Sequence, residues 1–436
     1  SIDDQLYESL ISQEREKFNR LKGLPYYETV RLIKAHYIPD LLDQDFFSFK
    51  LPGMEKEMIA IQYSLEFRTS KNLIWVGEID EGRGMASIHI ENGYLFGHFW
   101  TENWEYELQY FPKSGVNILL KKNKEYFQKP FTCGPKTSLD GDQHESQNST
   151  EIPPVPRNSN KGQELANAKF LNSTGNCDVR VLMLYTTAAE NEVANINNTI
   201  ATALGQMNTA LLRSDINRSQ GRVVLAQSLL YNYPTTYTRP NGSTATWGNQ
   251  PFDDLTFMVS DPVLNTARDN IGADIVMLIT DPDDYPTTPG ATPVVGTSDS
   301  QAYGYVKVQF ATDTENFVFP HEMGHMFGAR HGTNDDSDPG SANAHTFWKN
   351  LVRYRSITIR GDRDGVRYLN FSNPNVYHLG NLTGEAGVTD NAAQIRSAAC
   401  LVASFRGSNN ANLTGFITGP NTVCAGAVEF FQSDTE

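Results

Sequence analysis

The chain has 436 residues, 39% of them hydrophobic, and a formal net charge of −15 at pH 7. That length predicts two or three domains with packed cores, and the acidic balance disfavours nucleic acid or an anionic membrane as a partner. No apolar run is long enough to span a bilayer, and the four cysteines, at 133, 177, 400 and 424, are too few for a disulfide framework.

The chain starts at Ser1 without a signal-like stretch, which reads as a mature or trimmed start. Residues 1–25 are charged and carry Leu6, Leu10, Ile11, Phe18 and Leu21 at helical spacing. From 58 to 120 the pattern changes to strand. Residues 59–61, 63–67, 73–77, 85–90, 94–100 and 105–110 alternate, with turn residues at 81–84 and 91–93, and predict an antiparallel sheet of short strands. His89 and His98 fall in this sheet and read as surface or satisfied histidines rather than ligands. Cys133 precedes Gly134, and a disulfide with Cys177 or Cys424, a buried thiol or a metal-directed thiolate are all open for it. Residues 134–174 are rich in Ser, Asn, Pro, Gln and Gly, as an exposed linker is, and Arg157, Lys161 and Lys169 are candidate cleavage points.

A second unit starts near Cys177. Residues 179–185 read as a buried strand, 187–214 as one long amphipathic helix, 222–230 as a strand, 253–271 as a helix and 273–280 as a continuously apolar strand. This β-α-β-α-β order predicts a mostly parallel sheet flanked by helices. Residues 304–309 alternate as a further strand. Then comes His321-Glu322-Met323-Gly324-His325-Met326-Phe327-Gly328-Ala329-Arg330-His331. On a helix His321 and His325 share one face and can chelate one zinc ion. Gly328 can take a positive φ, end the helix and let the chain return His331 as a third ligand. Three protein ligands leave a position open, which marks a catalytic site, and Glu322 beside the first ligand can act as general base. Beyond it, Asp335, Asp336 and Asp338 are candidate calcium ligands, with a solvated loop the preferred reading. His345 and Trp348 read as packing and cleft-rim residues. Residues 389–406 read as a last helix, with Ala393, Ile395, Ala398, Leu401, Val402 and Phe405 facing inward.

The eleven-residue motif resembles that of the metzincin zinc endopeptidases, and its surroundings from 178 to 406 look most like the reprolysin (adamalysin-like) branch in its bacterial form. The resemblance implies a multidomain chain. It would have a β-rich pro-domain with its inhibitory segment over 1–133 and a linker or activation region over 134–174. An α/β catalytic domain, with a twisted mostly parallel sheet and an active-site helix, would span 175–408. Residues 409–436 would be the truncated start of an Ig- or PKD-like β-sandwich, in a fragment of a longer secreted protein. In such a zymogen Cys133 would close the zinc site as a switch, with Asp140 or Asp142 as the alternative. A disulfide between Cys177 and Cys400 would leave Cys133 available. The resemblance also implies that the strand before the zinc helix runs antiparallel along the cleft and receives substrate, making Tyr303, Gly304, Tyr305 and Val306 its rim. Ser372, Asn373 and Pro374 would wall the primed-side pocket. One departure stands out: the turn expected beneath the zinc, residues 354–359, lacks the family's methionine and offers Thr358 or Ile359 instead.

The expected function is therefore a secreted, latent zinc metalloendopeptidase, a monomer acting on proteins or peptides, with Zn2+ and a candidate Ca2+ as cofactors. Two other readings are a catalytically weak zinc-binding adhesion module and a toxin protease of narrow specificity. The intact Glu322 argues against the first.

Overall fold

A computed structural model describes residues 2–35, 45–69, 72–128, 176–239, 241–292, 296–332, 343–360 and 364–406. Its first half begins with helices α1 (Ile2–Ser9) and α2 (Ser12–Leu21). Strands follow: β1 (Tyr27–Ile33), β2 (Phe46–Phe49), β3 (Met58–Thr69), β4 (Asn72–Ile79), β5 (Gly84–Glu91), β6 (Tyr94–Trp100), β7 (Glu105–Tyr110) and β8 (Asn117–Lys122), then a one-turn helix α3 (Lys124–Phe127). They form one sheet in the order β1-β8-β7-β6-β5-β4-β3-β2, with every neighbouring pair antiparallel. The antiparallel sheet expected from the alternation is present, with one change. Residues 59–61 and 63–67 belong to the single strand β3, whose register slips between Gln62 and Ser64, so Tyr63 breaks the alternation without ending the strand.

The period of two divides this sheet into two apolar faces. Trp75, Ile79, Ala86 and Phe99 pack together on one. Val76, Met85 and Trp100 lie on the other, in the same core as the helices of the second half. Beside them is a buried polar seam. His98 Nε2 lies 3.0 Å from Glu105 Oε1, and Lys122 Nζ lies 3.0 Å from Glu107 Oε1. Thr314 N donates to Glu105 at 3.2 Å, Thr312 Oγ1 donates to Glu107, and Asn316 Nδ2 donates to the Phe127 carbonyl at 2.9 Å. His98 and His89 are thus buried, and the first half grips the segment that leads into the motif helix.

The second half runs β9 (Asp178–Tyr185), α4 (Thr187–Asn191), α5 (Ile196–Arg213), β10 (Arg222–Leu230), a small hairpin β11 (Thr236–Thr238) and β12 (Thr244–Thr246), α6 (Pro251–Ser260), α7 (Pro262–Ile271) and β13 (Ile275–Thr280). After these come β14 (Gly290–Ala291), β15 (Tyr303–Lys307), α8 (Val318–Met326), β16 (Thr346–Lys349), β17 (Val352–Arg355), β18 (Val366–Arg367), the hairpin β19 (Tyr377–His378) and β20 (Asn381–Leu382), and α9 (Asn391–Val402). The main sheet has the order β10-β9-β13-β15-β14; β10, β9, β13 and β15 are parallel and β14 is antiparallel. Cys177, just before β9, is disulfide-bonded to Cys400 in α9, with Cα atoms 4.6 Å apart.

Several expected elements divide. The helix expected over 187–214 is α4 and α5, because Asn195 caps the second by accepting from Asn197 N and Asn198 N. The helix expected over 253–271 is α6 and α7: Asp261 caps the second, and Pro262 has no N–H to continue the first. The last helix is shorter than 389–406, capped by Asp390, and its inward face uses Ala392 and Ala399 where Ala393 and Leu401 were expected. The strand before the motif is also corrected. β15 runs parallel to β13, and the antiparallel strand is the two-residue β14. Cys133, Asp140, Asp142, the linker, the candidate calcium residues Asp335, Asp336 and Asp338, Cys424 and the expected β-sandwich over 409–436 lie outside the described residues.

Candidate metal centre

Helix α8 starts from a strained corner. Its N-cap, Phe317, sits in the left-handed region at φ 47° and is fully buried, with its ring 5.4 Å from that of Trp100 in an edge contact. The Phe317 carbonyl accepts from His321 N at 3.0 Å, which opens the helix one turn before the first histidine matters. The helix ends at Met326, and the chain turns at Gly328, φ 87°, where Gly328 N donates to the His325 carbonyl and Ala329 N to the Gly324 carbonyl. That turn sends the chain back so that His331 faces the two helical histidines.

The three rings converge. Nε2 of His321 lies 3.0 Å from Nε2 of His325 and 3.4 Å from Nε2 of His331, and the ring centroids are 4.6, 4.7 and 5.4 Å apart. Two of the other ring nitrogens are held by backbone: His321 Nδ1 is 2.8 Å from the Ile357 carbonyl, and His325 Nδ1 is 2.7 Å from the Ala329 carbonyl. A carbonyl accepts only, so Nδ1 of His321 and of His325 carries the proton, and their Nε2 atoms present lone pairs inward. Burial, then the neighbouring His325, Arg367 and His331, hold His321 well below the ordinary imidazole range. His321 and His325 thus offer oriented nitrogens, His331 brings a third within ligand distance, and the set fits zinc. A second buried group, His98 with Glu105 and Glu107, also lies within ligand distance of itself. There the Lys122 ammonium already supplies the cation, so it is an ion network of the seam.

Glu322 is fully buried and lies under β14: a Cβ at Gly290 would stand 3.0 Å from Glu322 Cγ and 2.6 Å from Val318 Cγ1. Only glycine lets the strand pass this close. The turn beneath the rings lies in the 354–359 segment that the family resemblance implied. Thr358 is buried, its Cγ2 3.2 Å from the Cβ position of Gly324, and its Oγ1 accepts from Asn391 Nδ2 at 2.6 Å. Ile357 and Ile359 flank it with their carbonyls turned to His321 and Arg367.

The residues expected to touch substrate are placed differently. Tyr303, Tyr305 and Val306 are buried, and Gly304 packs against Met326 and Met277, because β15 is bonded to β13 on one side and to β14 on the other. Ser372 and Asn373 are fully buried in structural bonds: Ser372 Oγ donates to the Asn343 carbonyl, and Asn373 Nδ2 donates to the Ser214 carbonyl. Pro374 is half-buried. His345 lies 3.0 Å from Thr389 Oγ1, and Trp348 is exposed. Sequence reasoning missed Gly290, Asn391 and Arg367. Two residues of strand inside a Pro- and Thr-rich stretch carry no periodicity, and a lone Asn or Arg carries no motif.

Residues 144–355 match the model of Reprolysin_5, metallo-peptidase family M12. A peptidyl-Asp metalloendopeptidase of Stenotrophomonas maltophilia (strain R551-3) is 27% identical over 268 residues, covering 59% of this chain and 58% of that one. Its counterpart in strain K279a is 26% identical over 271 residues, with the same coverage. The chain thus spans 58% of the length of these curated relatives. Among solved structures, metalloproteinase-II from Bacteroides fragilis aligns over 80% of this chain and 93% of its own, at 7% identity and a TM-score of 0.38.

Proposed function

We propose that this chain, which carries a metallopeptidase domain of family M12, is a zinc-dependent endopeptidase with His321, His325 and His331 as ligands and Glu322 as general base. The convergence of three buried imidazoles, two with Nδ1 committed to backbone carbonyls, carries this reading. Zinc, when bound there, supplies a Lewis acid that polarises a peptide carbonyl and acidifies a water. Glu322 does the proton work: it takes a proton from the attacking water and gives it to the departing amine nitrogen. Gly290, packed over Glu322, makes β14 the strand along which an extended peptide would align, by backbone bonding of the strand-addition kind. The relatives' name supplies the first substrates to try, peptides with an aspartate at the scissile bond. The Cys177–Cys400 disulfide supports export to an oxidising compartment. Latency through Cys133 is part of the same reading, and Cys133→Ser tests it by early activity.

Removal of metal tests the core of the proposal. Dialysis against a strong chelator should abolish hydrolysis of a peptide library, and one equivalent of zinc should restore it. Hydrolysis that persists in metal-free protein would overturn the assignment. Stoichiometric zinc with no turnover on any protein or peptide, in the wild type and in Cys133→Ser alike, would favour a zinc-binding interaction module instead.

A further inference from the structure

We propose that Arg367 is a positioning residue of the metal centre, fixing the lead-in of α8 to the turn beneath the histidines; this rests on the metallopeptidase reading above. Arg367 is buried, on β18 at the far side of that turn. Its Nη1 donates to the Asn316 carbonyl and its Nη2 to the Ile359 carbonyl. The same Nη1 lies 3.5 Å from His321 Nδ1. One planar guanidinium therefore ties two backbone oxygens together: one on the residue before the left-handed Phe317, the other two residues past the carbonyl that holds His321 Nδ1. Asn316 is anchored in turn by its N–H to Asp313 Oδ2 at 3.0 Å and by its side chain to Phe127.

The consequence is geometric. His321 can keep its Nε2 at the point shared with His325 and His331 only while α8 and the 357–359 turn keep their spacing. Thr358 gives van der Waals support from below, and Arg367 sets the spacing from the side. A rigid fork can bridge both carbonyls at once, whereas one ammonium on a flexible stem cannot hold that planar geometry. The backbone of Arg367 is independently fixed by pairing with Arg355, and Tyr368 N donates to the Arg355 carbonyl at 3.0 Å. Changing the side chain therefore leaves β18 in place.

The test uses the full chain carrying Arg367→Lys or Arg367→Gln. Zinc affinity is measured by chelator competition, and the visible spectrum of the cobalt-substituted protein is recorded. The expected result is a loss of zinc affinity of about 10-fold or more in both variants, with an altered cobalt spectrum. Arg367→Lys keeps the charge and most of the reach, so it carries the test if Arg367→Gln fails to fold. A drop in melting temperature with zinc affinity and cobalt spectrum unchanged would make Arg367 merely structural and overturn the proposal. The metallopeptidase reading fails separately: wild-type protein that takes up no zinc would sink it, whereas the ratio of variant to wild-type affinity judges Arg367.

Discussion

At Gly328 the chain holds φ 87°, and a Cβ there would also meet Gln394 Nε2 at 2.6 Å. The Gln394 side chain can shift, but the left-handed backbone cannot be relieved without moving the turn that returns His331. Gly328→Ala should therefore cost about 1–2 kcal/mol of stability, and zinc should exchange faster against a chelator. Zinc retention equal to wild type would mean that His331 reaches its place without this turn. The site was readable at this scale because its spacing is local. Residues four apart on one helix must share a face, and a glycine three beyond the second histidine is where the helix can stop. The turn at 354–359 was readable only through the family resemblance, which left Thr358 and Ile359 both open; the structure sets Thr358 against Gly324. Arg367 was not readable: it lies 46 residues from His321 and is joined to it only by folding.

Elements were readable where the side-chain period decides them, and not where a cap or a crossover does. The antiparallel meander of the first half follows from alternation and from turns such as Asn92-Gly93, both at positive φ. The single helix expected over 187–214 failed because the apolar stripe continues through a break that Asn195 caps. The direction of β15 failed for another reason. Strand direction is set by the connection before it, and that connection contains β14, a strand of two residues without pattern. Once β14 takes the antiparallel edge, β15 is covered, and the tyrosines expected on a rim become core. Tyr303 and Tyr305 pack with Leu278 and Ala291 instead.

At the scale of the molecule, the seam between the two halves is the part the sequence concealed. Glu105, Glu107 and Lys122 look like the polar face of ordinary strands, and folding buries them beside the 312–316 segment, with Lys122 also over the Tyr27 and Phe127 rings. Their titration gives the seam a pH signature. Burial, with the charges of Glu105 and Glu315, pushes Asp313 up to about 8, against 3.8 for a free aspartate. Its folded pKa is raised, so its contribution is fully present below the unfolded value and is lost as pH rises toward 8. Burial alone would raise Glu105, but the hydrogen bond and charge of His98 outweigh it and hold the group at about 2, against 4.5. That contribution is present above the unfolded value and is lost as pH falls toward 2. The seam should therefore be firmest near pH 4 to 5 and loosen on both sides. Asp313→Asn should flatten the alkaline side of a melting-temperature profile between pH 5 and 8 and leave the acid side. An unchanged alkaline slope in that variant would remove Asp313 from the account.

Under the proposed function, Glu322 moves the protons at a zinc centre built by His321, His325 and His331. The most direct test of that role is the kcat/KM of Glu322→Gln on a peptide the wild type cleaves, with both proteins loaded to equal zinc content. Zinc binding should stay within about 3-fold of wild type while hydrolysis falls by at least about 10²-fold. Wild-type turnover by the zinc-loaded variant, free of contaminating protease, would contradict it.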